Sequence, residues 1–76
     1  MTNYVPLTKQ DTLNLKVGSL VFCTVDAVKG WYTVTAVRPR DGYIKITGFQ
    51  TWNPPFNFAL TDLEGRRGFS YLEERS

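Results

Sequence analysis

The sequence predicts an all-β fold, five short antiparallel strands closed into a small barrel, with one short helical turn before the last strand. Three observations lead there. Over residues 30–49 apolar and polar side chains alternate: Tyr32, Val34 and Ala36 share one parity and Thr33 and Thr35 the other, then Ile44 and Ile46 stand against Lys45 and Thr47. That period of two is the β signature. The two runs are joined by Arg38-Pro39-Arg40-Asp41-Gly42, where Pro39 presets its own φ and Asp41-Gly42 supplies the positive-φ pair of a tight hairpin turn. A lone hairpin is unstable in water, so the rest of this 76-residue chain must cover it.

Taken in order, residues 1–16 mix polar groups with Tyr4, Val5, Leu7, Leu13 and Leu15. Pro6 opposes a helix running through it. The two-residue spacing of Leu13 and Leu15 fits an extended arm better than a helical turn over residues 10–16. Residues 19–25, SLVFCTV, carry apolar side chains on both parities and read as a first strand covered on both faces. Asp26 to Gly30 is a polar turn into the central hairpin. After Gln50, Pro54 and Pro55 lock an extended loop holding Trp52, Phe56 and Phe58, because proline cannot donate to a sheet. Thr61 and Glu64 have capping-box spacing for a single helical turn ended at Gly65. Phe69, Ser70 and Tyr71 alternate as a last strand, and residues 73–76 form a charged tail expected to fray.

Composition narrows the function classes. A hydrophobic content of 42% and an aromatic content of 14% are too rich for a disordered chain. Without histidine and with the single cysteine Cys23, one chain can assemble neither a His/Cys zinc site nor a histidine-activated nucleophile. No metal or cofactor is expected, and Cys23 reads as a small buried strand residue. The aspartates and glutamates fall at turns, caps or the tail, where carboxylates are solvated or cap helices, and the glycines form no phosphate-cradling loop. The chain is therefore expected not to be an enzyme. No apolar run approaches the roughly 20 residues of a membrane span, the first residues lack a secretory pattern, and one cysteine suits a reducing compartment. A cytoplasmic protein that keeps away from membranes is the expectation.

Two groups of residues remain as binding candidates. The aromatic group is Trp31, Trp52, Phe56 and Phe58, with Tyr43 and Phe49 on the outward parity of the third strand. It exceeds what one small barrel can hold inside, so part of it is expected on the surface as a protein-binding patch, or folded over the open barrel end as a plug. The basic group is Arg38, Arg40 and Lys45 in the hairpin with Lys29 beside it, and Arg66-Arg67 at a later turn. Such a group either grips a phosphate backbone or is a solvated surface that keeps strand edges apart.

The succession of a Gly18-led first strand, Gly30-Trp31-Tyr32 opening the second, a Gly42-led third and Leu60-Thr61-Asp62-Leu63 near the end resembles the KOW, Tudor and Agenet group of SH3-like barrels. It is similar, too, to short proteins encoded by phages and prophages. The resemblance spans residues 17–64 and implies a binding scaffold. Tudor domains carry Asp-Tyr-Gly where this chain has Gly48-Phe49-Gln50, so a methyl-lysine cage is not implied. The expected function is recognition of another protein, as an inhibitor or adaptor and with homodimerisation open. Nucleic-acid binding through the basic hairpin tip stands second, a structural or assembly part next, and catalysis last.

Overall fold

The structure, a computed structural model, describes residues 5–61 and 66–68 of the chain. Within them lie a short helix, α1 (Lys9–Leu13), and four strands, β1 (Leu20–Cys23), β2 (Gly30–Val37), β3 (Ile44–Ile46) and β4 (Phe58–Ala59). The strands form an antiparallel sheet in the order β3-β2-β1-β4. Among the described residues sheet predominates over helix, as the alternation predicts. The strand expected at Phe69 to Tyr71, the tail at 73–76 and residues 62–65 of the expected helical turn lie outside the described residues. Thr61, where that turn was to begin, makes an antiparallel bridge to Arg67.

Strand β1 sits between β2 and β4, and its Val21, Phe22 and Cys23 are all buried, as its two-sided apolar pattern requires. Strand β2 serves two partners in succession. Its residues Gly30 to Thr33 pair with β1, and Val34 to Val37 with β3. At the changeover the Val34 N–H donates to the Ser19 carbonyl (2.8 Å) and the Val34 carbonyl accepts from the Gly18 N–H (2.9 Å). An irregularity between Val34 and Ala36 then shifts the register, so that Val34 faces Ile46 and Val37 faces Ile44. This corrects the simple alternation: Val37, not Ala36, joins the partly buried side chains packed on the core. One extra residue in a bulged strand reverses the parity of everything after it.

The hairpin turn also differs from the expected Asp-Gly pair. The Arg38 N–H donates to the Tyr43 carbonyl and the Gly42 N–H donates to the Arg38 carbonyl, both at 2.8 Å. Gly42 alone in the turn has positive φ (+76°), and Asp41 stays on the ordinary side of the map. A longer loop closed by a five-residue turn thus replaces a two-residue one. Gly42 is needed for a second reason: a Cβ there would lie 2.6 Å from Thr12 Oγ1 and 3.0 Å from Lys9 Cα, so α1 rests directly on the turn.

That helix corrects the expected extended arm. Thr8 is its N-cap, and its Oγ1 accepts from the Asp11 N–H (3.2 Å) while Asp11 Oδ2 accepts from the Thr8 N–H (2.9 Å). This capping box satisfies donors that so short a helix otherwise leaves open. Leu13 and Leu15 misled because Leu15 lies beyond the helix, and the buried helical residue is Thr12, whose hydroxyl donates to the Lys9 carbonyl at 2.9 Å.

After β3 the chain doubles back. Asn53 exchanges both backbone hydrogen bonds with Ile44 (2.8 and 3.0 Å) on the outer side of β3. Five residues later Phe58–Ala59 pairs with the far side of β1. Five residues reach at most about 18 Å, so this one connection ties the two edges of the sheet together. The Leu7 N–H donates to the Phe58 carbonyl (3.0 Å), bringing the N-terminal segment onto β4. The core gathers between these layers from Leu7, Leu15, Val21, Val34, Ile44, Ile46 and Phe58, with Cys23 among them.

Candidate functional site

The hairpin turn is built around one carboxylate. Arg38 Nε donates to Asp41 Oδ1 (3.0 Å) and Arg38 Nη2 to Asp41 Oδ2 (2.6 Å), a two-pronged contact, and Asp41 Oδ1 also accepts from the Tyr43 N–H (3.0 Å). Both side chains remain partly in solvent, 26% and 30% exposed. The hydrogen bond from Arg38 first, opposed by partial burial, then the Tyr43 N–H and the positive charges of Arg38 and Arg40, lower the Asp41 carboxyl to about 2. The same hydrogen bond raises the Arg38 guanidinium above its ordinary value.

The clamped guanidinium lies 5.2 Å from the centre of the Tyr43 ring and 4.9 Å from that of Trp52, and the Lys45 ammonium lies 4.8 Å from the Trp52 ring. Pairing of Asn53 with Ile44 places Trp52 beside Lys45, the middle residue of β3. Two members of the basic group, Arg38 and Lys45, and two of the aromatic group, Tyr43 and Trp52, here form a single cluster. Trp52 is accordingly half-buried, with two cations of its own chain against its ring.

The other aromatic candidates separate. Phe58, expected in the surface patch, is 1% exposed and belongs to the core. Phe49, expected outward, packs on the core and meets Tyr32 edge-on with ring centres 5.4 Å apart. Trp31 meets Phe22 edge-on at 5.4 Å, and a Cβ on Gly68 would fall 2.7 Å from its ring. Trp31 lines an open groove of about 340 Å³ with Leu20, Arg66, Arg67 and Gly68, so this second basic pair is not part of the hairpin cluster. Lys29 pairs with Asp26 at 3.1 Å.

Phe56 alone of the six aromatics is broadly exposed, at 65%. It sits in a 3₁₀ turn, Pro55–Asn57, that is fixed on both sides. Pro55 is buried, the Asn57 N–H donates to the Pro54 carbonyl (3.2 Å), and the Asn57 carbonyl accepts from both the N–H (2.9 Å) and the hydroxyl (3.1 Å) of Thr24. These bonds extend the contact between β1 and β4 to Thr24 and Asn57, and Val25, the residue after Thr24, is also exposed. Sequence reading missed Val25 as a surface residue and Asp41 as the organiser of the cluster. The second was legible in principle, since Arg38 and Asp41 are three apart across a proline-containing turn.

Among the described residues no group of three or more metal-ligating side chains comes together, and no helix is long and apolar enough to cross a membrane. Comparison with protein families, curated proteins and solved structures finds no match to this chain.

Proposed function

We propose that the chain is a non-enzymatic protein-binding module of the adaptor or inhibitor kind, an SH3-like barrel completed to five strands by residues near its C-terminus, that docks a partner protein on Phe56. The supporting observation is the exposure of that ring on an anchored turn. An aromatic side chain left in water forgoes the stabilisation of burial, and here the surrounding backbone is anchored by Pro55 and Thr24 instead of being free to fold the ring inward. A ring carried on anchored backbone leaves little backbone entropy to be lost on docking, and exposed aromatics so placed are favoured as binding hot spots. Contacts of this kind tolerate salt, because they owe little to charge.

The test is affinity capture from the native host beside sedimentation of the purified chain, with Phe56→Ala as the comparison. Loss of a captured partner, or of a dimer, in a variant whose melting temperature is unchanged supports the reading. Capture and self-association that ignore Phe56→Ala overturn it.

A further inference from the structure

The hairpin cluster of Arg38, Tyr43, Lys45 and Trp52 lies on other elements than Phe56 and is not used by the proposed docking surface. With Arg40 in the same turn it holds three cations and one carboxylate, Asp41, beside two half-exposed rings. The remaining carboxylates of the described residues are engaged elsewhere, Asp11 in the helix cap and Asp26 on Lys29. The two cations near Trp52 are held very differently. Arg38 is pinned through two nitrogens by Asp41, whereas Lys45 is a point charge on a flexible stem, free to swing from the ring to an incoming oxyanion.

We propose that this cluster binds single-stranded nucleic acid, with a base stacking on Trp52 where Lys45 now lies and with Lys45 and Arg40 taking the flanking phosphates. Arg38 is a positioning residue, held by Asp41 so that it backs the Trp52 and Tyr43 rings. The chemistry selects this ligand class. An acidic peptide satisfies the charges but offers no flat face to the rings, and a duplex keeps its base faces stacked away. A cationic ligand such as a methylated amine is repelled by Arg38, Arg40 and Lys45, which already occupy the aromatic surface.

The experiment is fluorescence anisotropy of a labelled oligothymidylate of about 15 nucleotides with the full chain over a salt series. Inorganic polyphosphate and polyglutamate serve as competitors. Two phosphate contacts predict affinity falling about 25-fold for a tenfold rise in salt. Lys45→Gln and Arg40→Gln, both surface changes, should each make the logarithmic salt slope shallower by about 0.7, while Arg66→Gln leaves it unchanged. Trp52→Ala should weaken binding at least about fivefold. Should that variant fold poorly, quenching of the remaining tryptophan in Trp31→Phe reports the same stacking. The proposal is overturned by no binding at low salt, by polyphosphate competing as well as the oligonucleotide with Trp52 unquenched, or by polyglutamate binding more tightly, which would mark an acidic protein as the ligand.

Discussion

Asp41 shows how much one side chain organises. It receives both prongs of Arg38 and the Tyr43 N–H, and its carboxyl is lowered to about 2. A carboxylate whose folded-state value lies below its ordinary one contributes stability that is fully present above that ordinary value and disappears as pH falls through the folded one. The contribution of Asp41 should therefore be intact at neutral pH and be lost between about pH 4 and pH 2. Denaturant unfolding across that window should show a smaller pH dependence in Asp41→Asn than in the parent. Equal pH dependence of the two would mean that other carboxylates carry the acid sensitivity. In the core, Ile46 is 3% exposed and paired with Val34, so Ile46→Ala should cost about 2–4 kcal/mol in the same assay.

At the scale of elements, the contact between α1 and the hairpin turn rests on a glycine. Gly42 and Gly18 both have positive φ, and alanine is strained at either. They differ in surroundings, since a Cβ at Gly42 meets Thr12 and Lys9 while one at Gly18 meets nothing within 4 Å. Gly18→Ala should cost about 1 kcal/mol from the backbone alone. Gly42→Ala should cost clearly more, because either the helix is pushed away or the turn is distorted. Equal losses for the two variants would show that α1 can move aside without penalty. The helix itself was unreadable from apolar spacing: five residues contain barely more than one turn, and its stability comes from the Thr8–Asp11 box and from packing, not from periodicity. The β2–β3 hairpin was readable because its alternation extends over several residues on each strand. The bulge that carries Val37 inward and the five-residue form of the turn were hidden.

At the scale of the whole molecule, two phenylalanines two residues apart have opposite roles. Phe58 begins β4 and is buried among core residues, while Phe56 stands in solvent on the preceding turn. Phe58→Ala should cost about 3–5 kcal/mol, a large share of the stability of so small a domain. Phe56→Ala should change stability by no more than about 0.5 kcal/mol. Melts of both variants check the pair, and a Phe56→Ala variant as unstable as Phe58→Ala would remove the basis for a docking surface there. Cys23, buried beside Phe58, should react with a thiol reagent only as fast as the domain opens.

By itself the sequence determined the strand class of the centre of the chain, the two-sided burial of β1, and the inward positions of Val21, Val34 and Ile46, because side-chain alternation is a local property of extended backbone. It also singled out Arg38, Arg40, Tyr43, Lys45 and Trp52, though as members of two separate groups. Only the tertiary structure decided which aromatic is presented and which is buried. Phe56 and Phe58 share the same loop composition, and what separates them is the pairing of Phe58 with Cys23 across 35 positions of chain. It likewise decided that Trp52 meets Lys45 and Arg38, since that contact depends on Asn53 returning to pair with Ile44. Long-range backbone hydrogen bonds set both outcomes, and no local pattern in the sequence records which distant strand a loop will join.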